Sequence, residues 1–308
     1  MRRLAAVDLG TNTLHLLVVE ASRAEWRVLH ADQVVTRLGE GQAATGILQP
    51  AAMRRTAEVV ASFCRRAEGL GVHDVRIVGT SAVRNAANRA EFLAMVRSSS
   101  GRPVRVISGE QEARLTLLGV RQGFSELKGQ LLLFDIGGGS TEFALSREGR
   151  APEAVSVKIG VVELAERFMD EGRLDPARYD AMAAEIGTRL AAGLTGAILR
   201  HGAPVLVGSA GTVTTLAALD LGLESYDPAR VHGHGLTRLA VTRLTARLAS
   251  LTLAERAALP CLEPGRADLI IPGSAICLEA MDRLGFDALV VSDRGLREGI
   301  VYEILAER

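Results

Sequence analysis

The sequence predicts an α/β fold made twice over: two lobes, each built on the order βββαβα, sharing a cleft. Three observations carry this expectation. A short acidic, glycine-bearing turn occurs twice, as Asp8-Leu-Gly-Thr-Asn-Thr and as Asp135-Ile-Gly-Gly-Gly-Ser-Thr-Glu142. Each copy lies between two apolar runs, 4–7 and 14–19 for the first and 131–134 and 143–145 for the second, which reads as strand, tight turn, strand. Beyond each set of strands the apolar spacing changes to the helical period.

Residues 3–8, 13–20 and 25–36 read as three successive strands, and Val59, Val60, Phe63, Ala67 and Leu70 then follow at helical spacing before Gly71. A strand at 75–78 runs into Gly79-Thr80-Ser81 and a helix from about 82 to 97. A strand at 104–107 precedes a helix from Gly109. The middle of the chain restarts the pattern with strands near 130–135, 140–146 and 153–158 and helices at about 161–169 and 177–200. A strand at 205–207 enters Gly208-Ser209-Ala210-Gly211-Thr212 and a helix from Val213, a strand, glycine turn and helix N-terminus suited to an anion. Helices near 237–249 and 267–284, a strand at 288–291 and a last helix from Gly295 complete the reading. The expected division is residues 1–121 with the C-terminal helix 296–308 against 122–295, hinged near 119–129, with the last helix crossing back to the first lobe.

A chain of 308 residues with 48% hydrophobic content can supply cores for two domains. Formal charge sums to zero, but residues 1–121 hold 17 arginines against 11 acidic side chains, and 122–308 hold 19 basic against 25 acidic. A basic first half can draw in a polyanion, and an uneven solvated surface gives the same count. Lysine occurs only as Lys128 and Lys158, so the basic side chains are nearly all the kind that forks onto phosphate. Cys64, Cys261 and Cys277 lie in apolar helical contexts, are odd in number and lack metal-ligand spacing, which fits a reduced, cytoplasmic protein. The first apolar run is broken at once by Asp8, too soon for a signal peptide, and no apolar stretch reaches membrane length.

The turns name a ligand class. Glycines let successive backbone N–H groups converge, and the hydroxyls of Thr11, Thr13, Ser140 and Thr141 add donors, so either turn can wrap an anionic oxygen. An aspartate beside such an anion needs a cation, and magnesium binds through one or two carboxylates plus phosphates. Ser108 with Gln111 three residues on forms a capping-box pattern. Glu110 and Glu112 in that first turn either answer the helix dipole or prepare a water for attack on a phosphoryl group. Arg84 is either a solvated helix residue or a phosphate clamp, and Arg89 makes the weaker case. His232 and His234 read as turn residues, since no third or fourth ligand has fitting spacing, and His15 as a packed or hydrogen-bonded strand residue. No serine nucleophile elbow, Walker lysine loop or zinc helix motif occurs.

Taken in order, the strings Asp8-Leu-Gly-Thr-Asn-Thr, Arg37-Leu-Gly-Glu-Gly41, Thr80-Ser-Ala-Val-Arg84, Ile107-Ser-Gly-Glu-Gln-Glu-Ala-Arg114, Asp135 to Glu142, Gly208 to Thr212 and Ser292-Asp-Arg-Gly-Leu-Arg-Glu-Gly299 resemble those of the Ppx/GppA family of exopolyphosphatases and guanosine pentaphosphate phosphohydrolases. The resemblance spans essentially the whole chain. It implies two ribonuclease-H-like domains of the actin-like ATPase superfamily with an interdomain cleft that closes over phosphates. The implied cofactor is Mg2+, or Mn2+ in its place. The implied substrate is inorganic polyphosphate or guanosine pentaphosphate, handled by a homodimer with neither a nucleic acid polymer nor a membrane as partner.

Position by position, the resemblance makes Glu112 the base that activates water and sets Arg84 on the end of the phosphate chain. Asp135 and Glu142 would hold the metal together with Asp8, which would complete the acidic side of the cleft. Gly137, Gly138, Gly139, Ser140 and Thr141 would cradle one phosphate, with Gly10, Thr11 and Asn12 opposite. Gly208, Ser209, Gly211 and Thr212 correspond to a phosphate or nucleoside loop. Gln111 stands where family members often have an acid, and Arg294 where they often have another residue. Long members append a helical domain that extends the binding channel, so a chain ending at 308 is expected to lack strong processivity. A phosphotransferase or chaperone of the same superfamily and a silent polyphosphate or alarmone sensor are the alternatives. The glutamate of Ser-Gly-Glu-Gln-Glu and the intact set Glu112, Asp135 and Glu142 favour hydrolysis.

Overall fold

The computed structural model describes residues 2–22, 25–124, 126–127 and 129–307. In chain order the elements are β1 Arg2–Leu9, β2 Thr13–Ala21, β3 Trp26–Val35, α1 Gln42–Thr45, α2 Pro50–Gly69, β4 Asp74–Gly79, α3 Ser81–Asn85, α4 Arg89–Ser100, β5 Val104–Val106 and α5 Gly109–Arg121. There follow β6 Leu131–Ile136, β7 Thr141–Ser146, β8 Glu153–Val157, α6 Val161–Phe168, α7 Pro176–Gly193, α8 Gly196–Leu199, β9 Leu206–Ser209 and α9 Ala210–Asp220. The last are α10 Pro228–Val231, β10 Gly235–Thr237, α11 Arg238–Ala249, α12 Leu253–Ala257, α13 Ile270–Leu284, β11 Ala288–Val291 and α14 Leu296–Ala306, with a 3-10 turn at Pro264–Arg266 before α13. The chain packs as two units, Met1–Gly119 with Leu296–Arg308, and Val120–Gly295. Ser125 and Lys128, within the segment expected to act as a hinge, lie outside the described residues.

In the first unit the strand order is β3-β2-β1-β4-β5, with β1 antiparallel to β2 and parallel to β4. Alternate residues feed opposite faces, as the period of two requires. Ala5, Val7, Leu14, Leu16 and Val18 pack with Met53, Val60 and Phe63 of α2, while Leu4, Ala6, Leu17 and Val19 pack with Leu115 of α5 and Ile300, Val301 and Ile304 of α14. Helices on both faces explain why these strands read as continuous apolar runs.

The second sheet has the order β10-β11-β9-β6-β7-β8. Taken from β8 to β11 it repeats the first sheet strand for strand, with β10 added at the edge. Its core joins Phe134, Phe143 and Leu145 to Ile186 and Leu190 of α7, Val213 and Leu216 of α9 and Ile276 and Ala280 of α13. The fold is therefore the expected duplicated α/β architecture, two ribonuclease-H-like domains.

Several elements differ from expectation. The helix expected at 82–97 is two, because Asn88 spends its side chain on Leu48, accepting from its N–H at 2.9 Å and donating to its carbonyl at 3.0 Å. The helix expected at 177–200 ends at Gly193, and Thr195 caps a separate turn through Ile198 N–H. α9 starts at Ala210 rather than Val213, so Gly211 and Thr212 lie in a helix and Gly208 and Ser209 on a strand. Residues 235–237 form β10, and residues 267–269 precede α13. All three cysteines are free, but Cys261 sits at a left-handed turn (φ 59°), not in a helix, with its Sγ on the Leu223 carbonyl.

Candidate active site

The two hairpin turns are built alike. Asp8 on β1 pairs with His15 on β2, and Asp135 on β6 pairs with Glu142 on β7, so each aspartate faces the residue seven positions on. The glycine two past each aspartate has no room for a side chain. A Cβ on Gly10 would stand 2.5 Å from the Thr13 carbonyl oxygen, and one on Gly137 would stand 2.9 Å from that of Ser140.

Around the first turn the chain closes tightly. Asn12 O accepts from the N–H groups of Thr36 (3.0 Å) and Arg37 (2.9 Å), and Thr11 O accepts from Gly39 N–H (2.9 Å). The 37–41 string is thereby fixed on the turn, with Arg37 in the left-handed region at φ 49°. Thr80 donates its hydroxyl to Leu9 O at 3.0 Å. Thr11 and Asn12 are buried. Asp8 Oδ1 and Asn12 Oδ1 are buried acceptors without a hydrogen-bond partner among the described residues.

The same unit brings Arg84 and Glu112 together. Gln111 N–H donates to Ser108 Oγ (3.1 Å) and Ser108 N–H donates to Gln111 Oε1 (2.9 Å), a reciprocal box that fixes the start of α5. Glu112 lies in that first turn, and Arg84 in the last turn of α3. Arg84 Nη1 donates to Glu112 Oε2 and to Ile107 O, both at 2.9 Å. The two side chains are only 19% and 13% exposed. Glu110 instead points outward, 61% exposed, towards Arg114 at 3.4 Å. Arg89 is exposed and, among the described residues, its side chain donates to Arg84 O alone.

In the second unit Ser209 Oγ donates to Asp135 Oδ2 at 2.5 Å, and Ser156 Oγ donates to Glu142 Oε1 at 2.7 Å. Glu142 is 2% exposed. Carbonyls of Gly137 and Gly138 accept from Val161 N–H (3.2 Å) and Val162 N–H (2.9 Å), tying the turn to the start of α6. A Cβ on Gly160 would overlap Gly138 and Gly139, so the turn and the helix meet backbone to backbone. Ser140 and Thr141 are buried, and Thr141 donates to Ile159 O at 2.8 Å.

Gly208 serves packing, since a Cβ would stand 3.1 Å from the Phe134 ring. The strand-to-helix step falls at Ala210, at φ 71°. Over Gly211 lies a group the sequence reading passed over, the guanidinium of Arg266, whose Cζ would stand 2.8 Å from a Cβ there. Arg266 also pairs with Glu263 at 3.0 Å. The only signal for it in the sequence was the glycine that leaves it space. A Cβ on Gly273 of α13 would stand 3.0 Å from the Thr212 Cβ, so the two helices also meet closely.

His232 Nε2 lies 3.1 Å from Gly123 O with its ring stacked on Phe124, and His234 Nε2 lies 2.8 Å from Asp220 Oδ2, so both tie the turn to segments distant in sequence. Arg294 Nη1 donates to Gln122 O at 3.1 Å. No group of three or more His, Cys, Asp and Glu side chains that could hold a metal gathers among the described residues. Asp135 and Glu142, opposite one another on neighbouring strands, offer a two-carboxylate oxygen set. That set fits magnesium, whose remaining positions go to water and phosphate.

Two α/β units, each carrying a glycine turn beside a carboxylate, present backbone N–H groups and acidic side chains of the kind that suits phosphoryl groups. The model of the Ppx/GppA phosphatase family matches residues 17–308. The chain is 33% identical to Exopolyphosphatase 2 of Mycobacterium tuberculosis, over 99% of this chain and 99% of that relative. It is 31% identical to the Guanosine-5'-triphosphate,3'-diphosphate pyrophosphatase of Vibrio campbellii over 98% of this chain, but spans only 59% of that relative. Among solved structures, an exopolyphosphatase from Cytophaga hutchinsonii superposes with a TM-score of 0.91 at 27% identity, covering 99% of this chain and 98% of that one. The chain belongs to the Ppx/GppA phosphatase family and is a phosphoanhydride hydrolase. Among the described residues no helix is long and apolar enough to cross a membrane.

Proposed function

We propose that this enzyme is an exopolyphosphatase that releases terminal orthophosphate from inorganic polyphosphate by direct attack of water. The observation that carries the reading is the partly buried pair Glu112–Arg84 at the capped start of α5, a carboxylate and a guanidinium held 2.9 Å apart. Arg84 grips the terminal phosphoryl group with its forked guanidinium. Glu112 orients the water and takes its proton as the water oxygen bonds to phosphorus. The bond from that phosphorus to its bridging oxygen breaks, leaving a chain shorter by one phosphate. The second turn, Gly137 to Thr141, receives phosphate oxygens, as does Gly10 to Asn12 in the first unit, with Asp8 on the acidic side. Gly208, Ser209, Gly211 and Thr212 serve the more distant part of the substrate. Asp135 and Glu142 would hold magnesium, or manganese in its place, and the bound ion would offset negative charge on the phosphates. The free thiols fit a cytoplasmic enzyme, and the family resemblance supports a homodimer.

The name and full-length match of the Mycobacterium tuberculosis relative support polyphosphate as substrate. The second reading is loss of the 5′ terminal phosphate from guanosine pentaphosphate, which the name of the Vibrio campbellii relative supports. Orthophosphate release measured side by side on polyphosphates of graded length and on guanosine pentaphosphate separates them. Faster turnover of the nucleotide overturns the first reading.

A further inference from the structure

The duplication gives both units the same turn, yet the proposed chemistry asks for a cation at only one. Position for position, the residue opposite the aspartate is Glu142 in the second turn and His15 in the first. The second turn can therefore present two carboxylates, whereas the first presents one carboxylate and one imidazole. His15 Nδ1 lies 3.5 Å from Asp8 Oδ2, so that oxygen faces the ring, while Asp8 Oδ1 is the atom left buried without a partner among the described residues. The turns differ also in bulk, with Thr11 and Asn12 standing where the second has Gly138 and Gly139.

We propose that His15 is the residue that makes the two turns unequal: it withholds the second carboxylate, turns one oxygen of Asp8 aside, and so confines the divalent cation to Asp135 and Glu142. Magnesium takes oxygen donors and keeps near-octahedral geometry, and a lone carboxylate beside an imidazole is a poor site for it. His15 is a positioning residue here. It leaves the first turn to phosphate and the second to metal, although both descend from one pattern. The inference rests on the assignment of the metal to Asp135 and Glu142 made above.

The test counts bound Mn2+ by electron paramagnetic resonance on the purified full chain without substrate, so activity plays no part in the readout. The wild type is expected to bind about one ion per chain, Asp135→Asn to lose it, and Asp8→Asn to keep it. His15→Glu is expected to bind about two, returning to about one when combined with Asp8→Asn. His15→Asp serves in its place where the glutamate variant does not fold. Loss of the wild-type ion in Asp8→Asn overturns the inference, as does a folded His15→Glu that still binds one. Two ions in the wild type, with one lost in His15→Ala, overturn it as well. If Asp135→Asn keeps the ion, the metal assignment itself fails and the inference falls with it; if Asp135→Asn loses the ion while His15→Glu stays at one, only the role of His15 is refuted.

Discussion

Glu110 and Glu112 share one helical turn and have opposite surroundings, the first in solvent beside Arg114 and the second partly buried against Arg84. Glu112→Gln is therefore expected to lower turnover by at least about a hundredfold, the usual scale for a general base, with an unchanged circular dichroism spectrum. Glu110→Gln should stay within a few-fold of wild type in the same phosphate-release assay. Asp135→Asn should raise the magnesium concentration needed for half-maximal rate, and an unchanged titration counts against its role. The place of Glu112 was legible because Ser108 and Gln111 announce the helix start. Its partnership with Arg84 was not, since it depends on how β4 and β5 set two helix ends side by side. Arg266 over Gly211 was hidden for the same reason, a contact made by tertiary packing between segments far apart in sequence.

The strands were the most readable elements, because alternate residues must serve two buried faces and the glycine turns punctuate them. The helices were read with less success where a distant contact decides. Nothing near Ala86 announces that Asn88 is committed to Leu48, and nothing near Gly193 announces that it packs on Val157. Some glycines mark places where elements meet without space. A side chain at Gly160 would push the 137–141 turn off α6, and one at Gly299 would drive α14 off the Leu115 carbonyl of α5. Gly160→Ala is expected to cost about 1–3 kcal/mol in urea unfolding, the range for overpacking, and to raise KM as the turn shifts. Gly299→Ala should lose similar stability, and unaltered unfolding midpoints in both refute the close-packing account.

At the scale of the whole molecule the duplication was legible from two turns, while the added edge strand β10 was not, being too short to show a period. The proposed reaction needs both the base Glu112 and the cation assigned to Asp135. Their single substitutions should then be strongly non-additive, the double variant losing far less than the product of the two losses. Stability should respond to acid through Glu163, whose carboxyl is held below the usual range by the Arg189 guanidinium, against the opposing effect of burial. That contribution is whole above the unfolded value of about 4.3 and is lost as pH falls through the lower folded value. The urea midpoints of wild type and Glu163→Gln should therefore differ at neutral pH and converge in acid. The central claim meets its most direct test in orthophosphate release from inorganic polyphosphate with magnesium, wild type beside folded Glu112→Gln. The account predicts steady release by the wild type and almost none by the variant, and equal release by both contradicts it.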